Sequence, residues 1–194
     1  MPSIEKFKES LSLFRIDDNV IAQINEGYSN IDNKAPQKVR YAYFKRALDI
    51  METQVDYEKL KEVFEWNACC KGGVRARASN TFAKENEYLS IDERIEKIKY
   101  VSNMGSPVRN QDGTITVNAV SYWRDGRFLC ACSNCNGLNL DYKMSKNYCF
   151  CCAGHFKHHY EIMLGVALKT LEIISSPLDS DGKNPCIIKF AISN

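Results

Sequence analysis

The chain has 194 residues, with 26 basic and 24 acidic side chains and a formal charge of +2, a balance too even to point to nucleic acid as a partner. At this length a core can be buried without disulfide staples. No stretch approaches the roughly 18 apolar residues of a membrane span, and Met1-Pro2-Ser3-Ile4-Glu5-Lys6 turns polar almost at once, so the expectation is a cytoplasmic protein with reduced thiols and no membrane partner.

The first hundred residues intersperse acid and base among apolar positions at three- and four-residue spacing, which predicts helices. One or two short helices are expected up to Tyr28. Pro36 stands near the start of a helix whose apolar stripe is Val39, Tyr43, Ala47, Ile50 and Met51. Tyr57, Leu60, Val63 and Phe64 mark another, stopped by glycine around Cys69-Cys70-Lys71-Gly72-Gly73. Further helices fit residues 74–87 and 91–103, the second opened by a capping box of Ser90 and Glu93. Residues 1–105 therefore read as a helical scaffold that supports a site or mediates self-association into a homo-oligomer.

After Gly105 the pattern changes. Asp112-Gly113 and Asp125-Gly126 are turn signals, and residues 114–123 are β-branched and aromatic, predicting strands that deliver the chain through Phe128-Leu129-Cys130 into a cysteine-rich segment. A helix over residues 153–164 follows, closed by Gly165. Strands over 166–174 and 186–192 flank a turn-rich stretch, 176–183. Residues 179–182 lack the glycine position and terminal glutamate of an EF-hand loop and read as a solvated connection. The fold class is α+β: a helical N-terminal half, then residues 106–194 as an antiparallel sheet with a flanking helix, forming a ligand-binding region that is separate from the scaffold or integrated with it.

Six of the nine cysteines fall within residues 130–152. Cys132-x-x-Cys135 and Cys149-x-x-Cys152 are thirteen residues apart, close to the spacing of four-thiolate metal sites. Each motif brings two sulfurs to one centre, and a tetrahedron of thiolates suits zinc, with an iron–sulfur cluster as the alternative. Cys132, Cys135, Cys149 and Cys152 are the preferred ligands; Cys130, Cys151 and His155 are alternatives, because sulfurs two apart on a strand share a face and Cys152-x-x-His155 could close a site with imidazole. The competing reading is that some of these thiols are small buried hydrophobes. Cys69, Cys70 and Cys186 read as core packing, Cys186 on the same alternating face as Ile188, Phe190 and Ile192.

All three histidines lie just beyond the last cysteines. His155 and His159 share a helical face with His158 beside them, while Phe156, Tyr160, Met163 and Leu164 form the apolar stripe, so the histidines are expected to face away from the core. His-Glu-x-x-His peptidase chemistry is excluded, since Phe156 and Lys157 follow His155. A nucleophilic alternative uses Cys149 as a thiolate activated by His155 near a helix N-terminus. The segment from residue 130 on has six lysines and no arginine, so the guanidinium fork that reads guanine edges is missing there.

The C-terminal order of features carries a resemblance. Tyr148-Cys149, Tyr160-Glu161, Leu164-Gly165, a strand through Leu168-Lys169-Thr170, the Gly182 turn and Cys186-Ile187-Ile188-Lys189-Phe190 resemble the end of the L-2-amino-thiazoline-4-carboxylic acid hydrolase-like family, and more distantly the small-molecule-binding domains named after 4-vinyl reductase, over about residues 115–194. The resemblance implies an α+β sheet with helices flanking a ligand pocket, with the family's cysteine before the helix at Cys149 and its late strand cysteine at Cys186. The additional soft ligands at Cys130, Cys132, Cys151, Cys152 and His155 depart from that hydrolase, so its substrate is not carried over. The leading expectation is a small-ligand-binding or sensor-like protein with a cysteine-ligated metal. The alternatives are a hydrolase of a small amide or thiazoline-like substrate, using Cys149 or zinc-bound water, and a zinc-stabilised interaction module.

Overall fold

Helix caps set the start of the chain. In a computed structural model, which describes residues 2–119, 121–138 and 143–193, Ser3 caps α1 (Ile4–Leu13) and Asp17 caps α2 (Asp18–Asn25) by accepting from backbone N–H groups of the first turn. Helix α3 (Gln37–Gln54) follows Pro36, and Asp56 caps α4 (Tyr57–Trp66). Helix α5 (Gly73–Glu85) precedes α6 (Ile91–Ile98), where the predicted capping box of Ser90 and Glu93 is formed. Val120, in the predicted 114–123 strand, and residues 139–142, in the link between the two Cys-x-x-Cys motifs, lie outside the described residues.

Three expectations for the N-terminal helices need correction. The buried face of α3 is Tyr41, Tyr43, Phe44, Ala47, Leu48 and Met51, whereas Val39 is 39% exposed, because α3 turns its aromatic positions toward α1 and Tyr148. Helix α4 stops at Trp66, ahead of the glycines: the Asn67 side chain folds back to donate to the Val63 carbonyl and the buried Ser10 hydroxyl. Helix α6 ends at Ile98 rather than near 103, the chain turning through Asn103 at φ 62°.

The strands are β1 (Ser106–Arg109), β2 (Ile115–Asn118), β3 (Ser121–Arg124), β4 (Arg127–Cys130), β5 (Leu168–Ser175) and β6 (Ile187–Ile192). Four of them form an antiparallel sheet in the order β1-β2-β6-β5, and β3 and β4 form a separate hairpin. The single strand expected over 114–123 is thus divided: after Asn118 the chain leaves the sheet, with Ala119 N–H donating to the Cys186 carbonyl. Asp125 (φ 53°) and Gly126 (φ 76°) are both left-handed, the requirement of the two-residue type I′ hairpin turn, and their placement follows from the Asp-Gly pair.

A short 3₁₀ turn (Lys146–Cys149) runs into α7 (Phe150–Leu164), which begins three residues before the expected start and carries Cys151 and Cys152 on its first turn. The α+β class stands. A continuous cluster of buried residues runs from Ile4 to Phe190, joining the helical half to the sheet, with Phe7, Phe44, Phe64 and Tyr148 packed edge to face or tilted at its centre. Helix α7 lies very close to α4. A Cβ on Gly154 would press against the Glu65 carbonyl oxygen, well inside van der Waals contact. Among the described residues, no helix is long and apolar enough to cross a membrane.

Candidate functional site: a cysteine-lined cavity

Four stretches of chain, distant in sequence, meet around a cavity of about 270 Å³. The α4–α5 loop supplies Cys69 and Cys70, and the end of β4 supplies Cys130 with Cys132 just beyond it. The start of α7 supplies Cys149, Cys151, Cys152 and His155, and the residue before β6 is Cys186. Eight of the nine cysteines therefore share one cavity, with Arg75, Tyr148 and Phe156 also in its wall and no carboxylate among the described lining residues. No disulfide joins them.

Helix α3 holds both Cys-x-x-Cys segments in place. Gln37 Nε2 donates to the carbonyls of Ser133 and Asn136 at 2.8 and 2.9 Å, and Arg40 Nε donates to the buried Asn134 Oδ1 at 3.0 Å. At the other end of α3, Glu52 accepts from Asn147 Nδ2 and the Ser145 hydroxyl, fixing the 3₁₀ turn that leads to Cys149.

Of the preferred ligands, Cys132, Cys149 and Cys152 line the cavity. Cys135 instead lies behind Cys132, within hydrogen-bond range of Cys130 and Cys132, and lines a smaller cavity of about 100 Å³ with Tyr41 and Leu178. The alternatives Cys130, Cys151 and His155 are all in the main wall. Among the described residues, no group of three or more His, Cys, Asp or Glu is arranged to hold a metal ion. The fold adds Cys69, Cys70 and Cys186, which the sequence suggested were packing residues. Pattern alone could not join them to the rest, because their positions depend on how α4, α5 and β6 pack against α7.

The thiols differ in chemistry. Hydrogen bonding from the Cys135 thiol, against an opposing burial effect, and then from the Tyr148 hydroxyl and the Asn134 N–H brings Cys132 down to a pKa of about 6. Tyr148 Oη accepts from Asn134 Nδ2 at 3.1 Å, which aims its own proton at Cys132 Sγ, 3.3 Å away. Cys135, whose single proton is shared between Cys130 and Cys132, is held well above the ordinary thiol range, and burial does the same to Cys151 and Cys152. Cys149 Sγ lies 3.2 Å from the buried Ser176 Oγ and is bonded by Cys186, whose own pKa that bond and burial raise.

The pairing of Cys149 with His155 is not formed among the described hydrogen bonds: Cys149 meets Ser176 and Cys186, and His155 meets Cys69 and Arg75. In reduced, metal-free protein, alkylation by iodoacetamide is expected first at Cys132, half-maximal near pH 6, with Tyr148→Phe moving the midpoint upward. Peptide mapping across pH checks this. Labelling of Cys132 that begins only above about pH 8 would contradict it.

The histidines do not face solvent as expected. His155 is 3% exposed and His159 is fully buried. Their ring nitrogens meet three successive carbonyls of the α4–α5 loop: His155 Nδ1 at 3.0 Å from Cys69 O, His159 Nε2 at 2.9 Å from Cys70 O and His158 Nε2 at 3.2 Å from Lys71 O. A carbonyl only accepts, so each of these nitrogens carries the proton. His159 Nδ1 then accepts from the Ser79 hydroxyl at 2.8 Å, and His155 Nε2 is left as an acceptor 3.5 Å from the Arg75 guanidinium. Burial, reinforced by His159, lowers the His155 pKa to about 4, and burial lowers His159 as well. The spacing of the histidines made a shared face legible, but nothing in it showed that the face would meet residues 69–71.

The wall is therefore soft and largely neutral, with one activated sulfur, one uncharged imidazole and one guanidinium. That chemistry suits thiophilic ligands and is poor for hard cations, which need oxygen donors. No family model, curated protein or solved structure matches the chain.

Proposed function

We propose that this is a small-ligand-binding or sensor-like protein whose ligand is thiophilic, held in the cysteine-lined cavity with a thiolate-bound metal at its centre. The observation that carries the reading is the convergence of eight thiols from four separate chain segments on one cavity of about 270 Å³. Ordinary burial of small hydrophobes would scatter these cysteines through the core. The His155 tautomer adds support: a ring that donates through Nδ1 to a backbone carbonyl presents Nε2 as a ligand atom, the arrangement common to metal-bound histidines.

Elemental analysis of protein purified anaerobically and without added metal tests the reading. Tightly held zinc, iron or copper is expected, and Cys132→Ser, Cys149→Ser and Cys152→Ser are each expected to lose most of it, whereas Cys135→Ser retains more. Metal-free protein that binds none of the three on titration would remove the metal from the proposal.

The ionised sulfur of Cys132 in the cavity wall favours one second reading, a hydrolase of a small amide or thiazoline-like substrate that attacks through a cysteine. In that case the nucleophile is Cys132 rather than Cys149, with His155 Nε2 as the unprotonated base of the same cavity. Intact-mass measurement after mixing with such a substrate would reveal a covalent adduct on Cys132. Persistently unmodified protein and unconsumed substrate would remove this second reading.

A further inference from the structure

A single ion bound to sulfur has bonds of about 2.3 Å, so its ligands must crowd around one point. The thiols here surround a space of about 270 Å³ instead, and no group of three donors among the described residues gathers for one ion. Resting on the metal-centre reading above, we propose that the centre is polynuclear, an iron–sulfur cluster seated between Cys130 and Cys132 on the β4 side and Cys149 and Cys152 on the α7 side.

Three observations carry the assignment. First, the donors come to one cavity from two separate elements: Cys130 and Cys132 from the end of β4 and just beyond it, and Cys149 and Cys152 from the 3₁₀ turn and the first turn of α7. Second, the lining holds sulfur, one neutral imidazole and apolar groups such as Phe156 but no carboxylate among the described residues, the donor set that selects iron–sulfur chemistry and disfavours hard-metal clusters. Third, a cluster bound by four thiolates is anionic, and Arg75 is the guanidinium in the wall that offsets this charge. More thiols line the cavity than a cluster consumes, leaving Cys69, Cys70, Cys151 and Cys186 as neighbours that can hydrogen-bond to its sulfurs.

Assembly balances without an electron donor or acceptor when ferrous and ferric iron are supplied in equal amounts with matching sulfide. Cys130, Cys149 and Cys152 give their protons to solvent as their sulfurs bond to iron, Cys132 is already a thiolate, the added sulfide likewise loses its protons to solvent, and no electron enters or leaves.

The test is anaerobic reconstitution of the full-length reduced chain with equal ferrous and ferric iron and sulfide, and in parallel with zinc alone. The expected result is about four iron and four sulfide per chain, with visible thiolate-to-iron absorption. Cys135→Ser should keep this signal, because Cys135 lies outside the main cavity, and Cys132→Ser and Cys152→Ser should lose most of it. Should either of these two fail to fold by circular dichroism, the iron-to-sulfide ratio of the unaltered protein decides. About one zinc or iron per chain without sulfide would overturn the cluster while leaving the metal-centre reading standing. Uptake of neither would overturn both. Equal iron and sulfide retained by every variant would mark adventitious mineral on surface thiols and overturn the cluster.

Discussion

Gly154→Ala is expected to lower folding stability by about 3 kcal/mol or more, at the upper end of the overpacking range. The added methyl group meets a backbone carbonyl, that of Glu65, and the Ala68 side chain, and neither can swing aside as a flexible side chain would. Relief requires moving α7 away from α4, which disturbs Phe64 and Tyr148 in the aromatic centre and pulls the histidines from the 69–71 carbonyls. Urea unfolding measures the effect as a lower midpoint at unchanged slope. Gly72→Ala is the comparison, since Gly72 has an extended φ of −120° and open space where a Cβ would go. A wild-type midpoint for Gly154→Ala would mean that the two helices are not packed this closely.

Acidification is the second large effect. His155 titrates near 6.5 in an unfolded chain and at about 4 in the folded protein, where burial and His159 oppose its charge. Above pH 6.5 the ring is neutral in both states and contributes no pH dependence. Between pH 6.5 and 4 the unfolded chain takes up a proton that the native protein refuses, so stability falls through that window and the loss levels off below it. The shift corresponds to about 3 kcal/mol, and His159 adds in the same direction. Denaturation of metal-free protein at pH 7 and pH 4 reads the loss. His155→Gln retains a donor for the Cys69 carbonyl without titrating, and should shrink this difference by about 3 kcal/mol, leaving the part due to groups such as His159 and Cys132; an unchanged difference would assign the acid sensitivity wholly to other groups.

Local chemistry made much of the architecture legible. The Ser90–Glu93 capping box, the Asp125-Gly126 turn and the strands at the C-terminus depend on residues near one another in sequence, and they form close to where the pattern placed them. What local pattern could not supply was partnership across distance. Spacing singled out Cys132, Cys135, Cys149 and Cys152 as equals, yet a single turn places Cys132 in the main cavity and Cys135 behind it. Periodicity put the histidines opposite the Phe156–Tyr160 stripe, a solvent face for an isolated helix, and here α5 and the 69–71 loop cover it. Cys69 and Cys186 became wall residues for the same reason: helix packing and sheet order, neither written in any one segment, decide which thiols meet.

The position of β6 also sets a timetable. It is the last strand of the chain, yet it sits inside the sheet, between β2 and β5. Until residues 187–192 have been synthesised and released, β2 and β5 have no common neighbour, and Cys186 cannot reach the thiols of α7. The wall is thus finished only after β6 has emerged and paired with β2 and β5, by contacts of long sequence separation that form late. A nascent chain presents its cysteines to solvent before β6 can shelter them, which leaves the newly made chain more open to thiol oxidation than the completed fold.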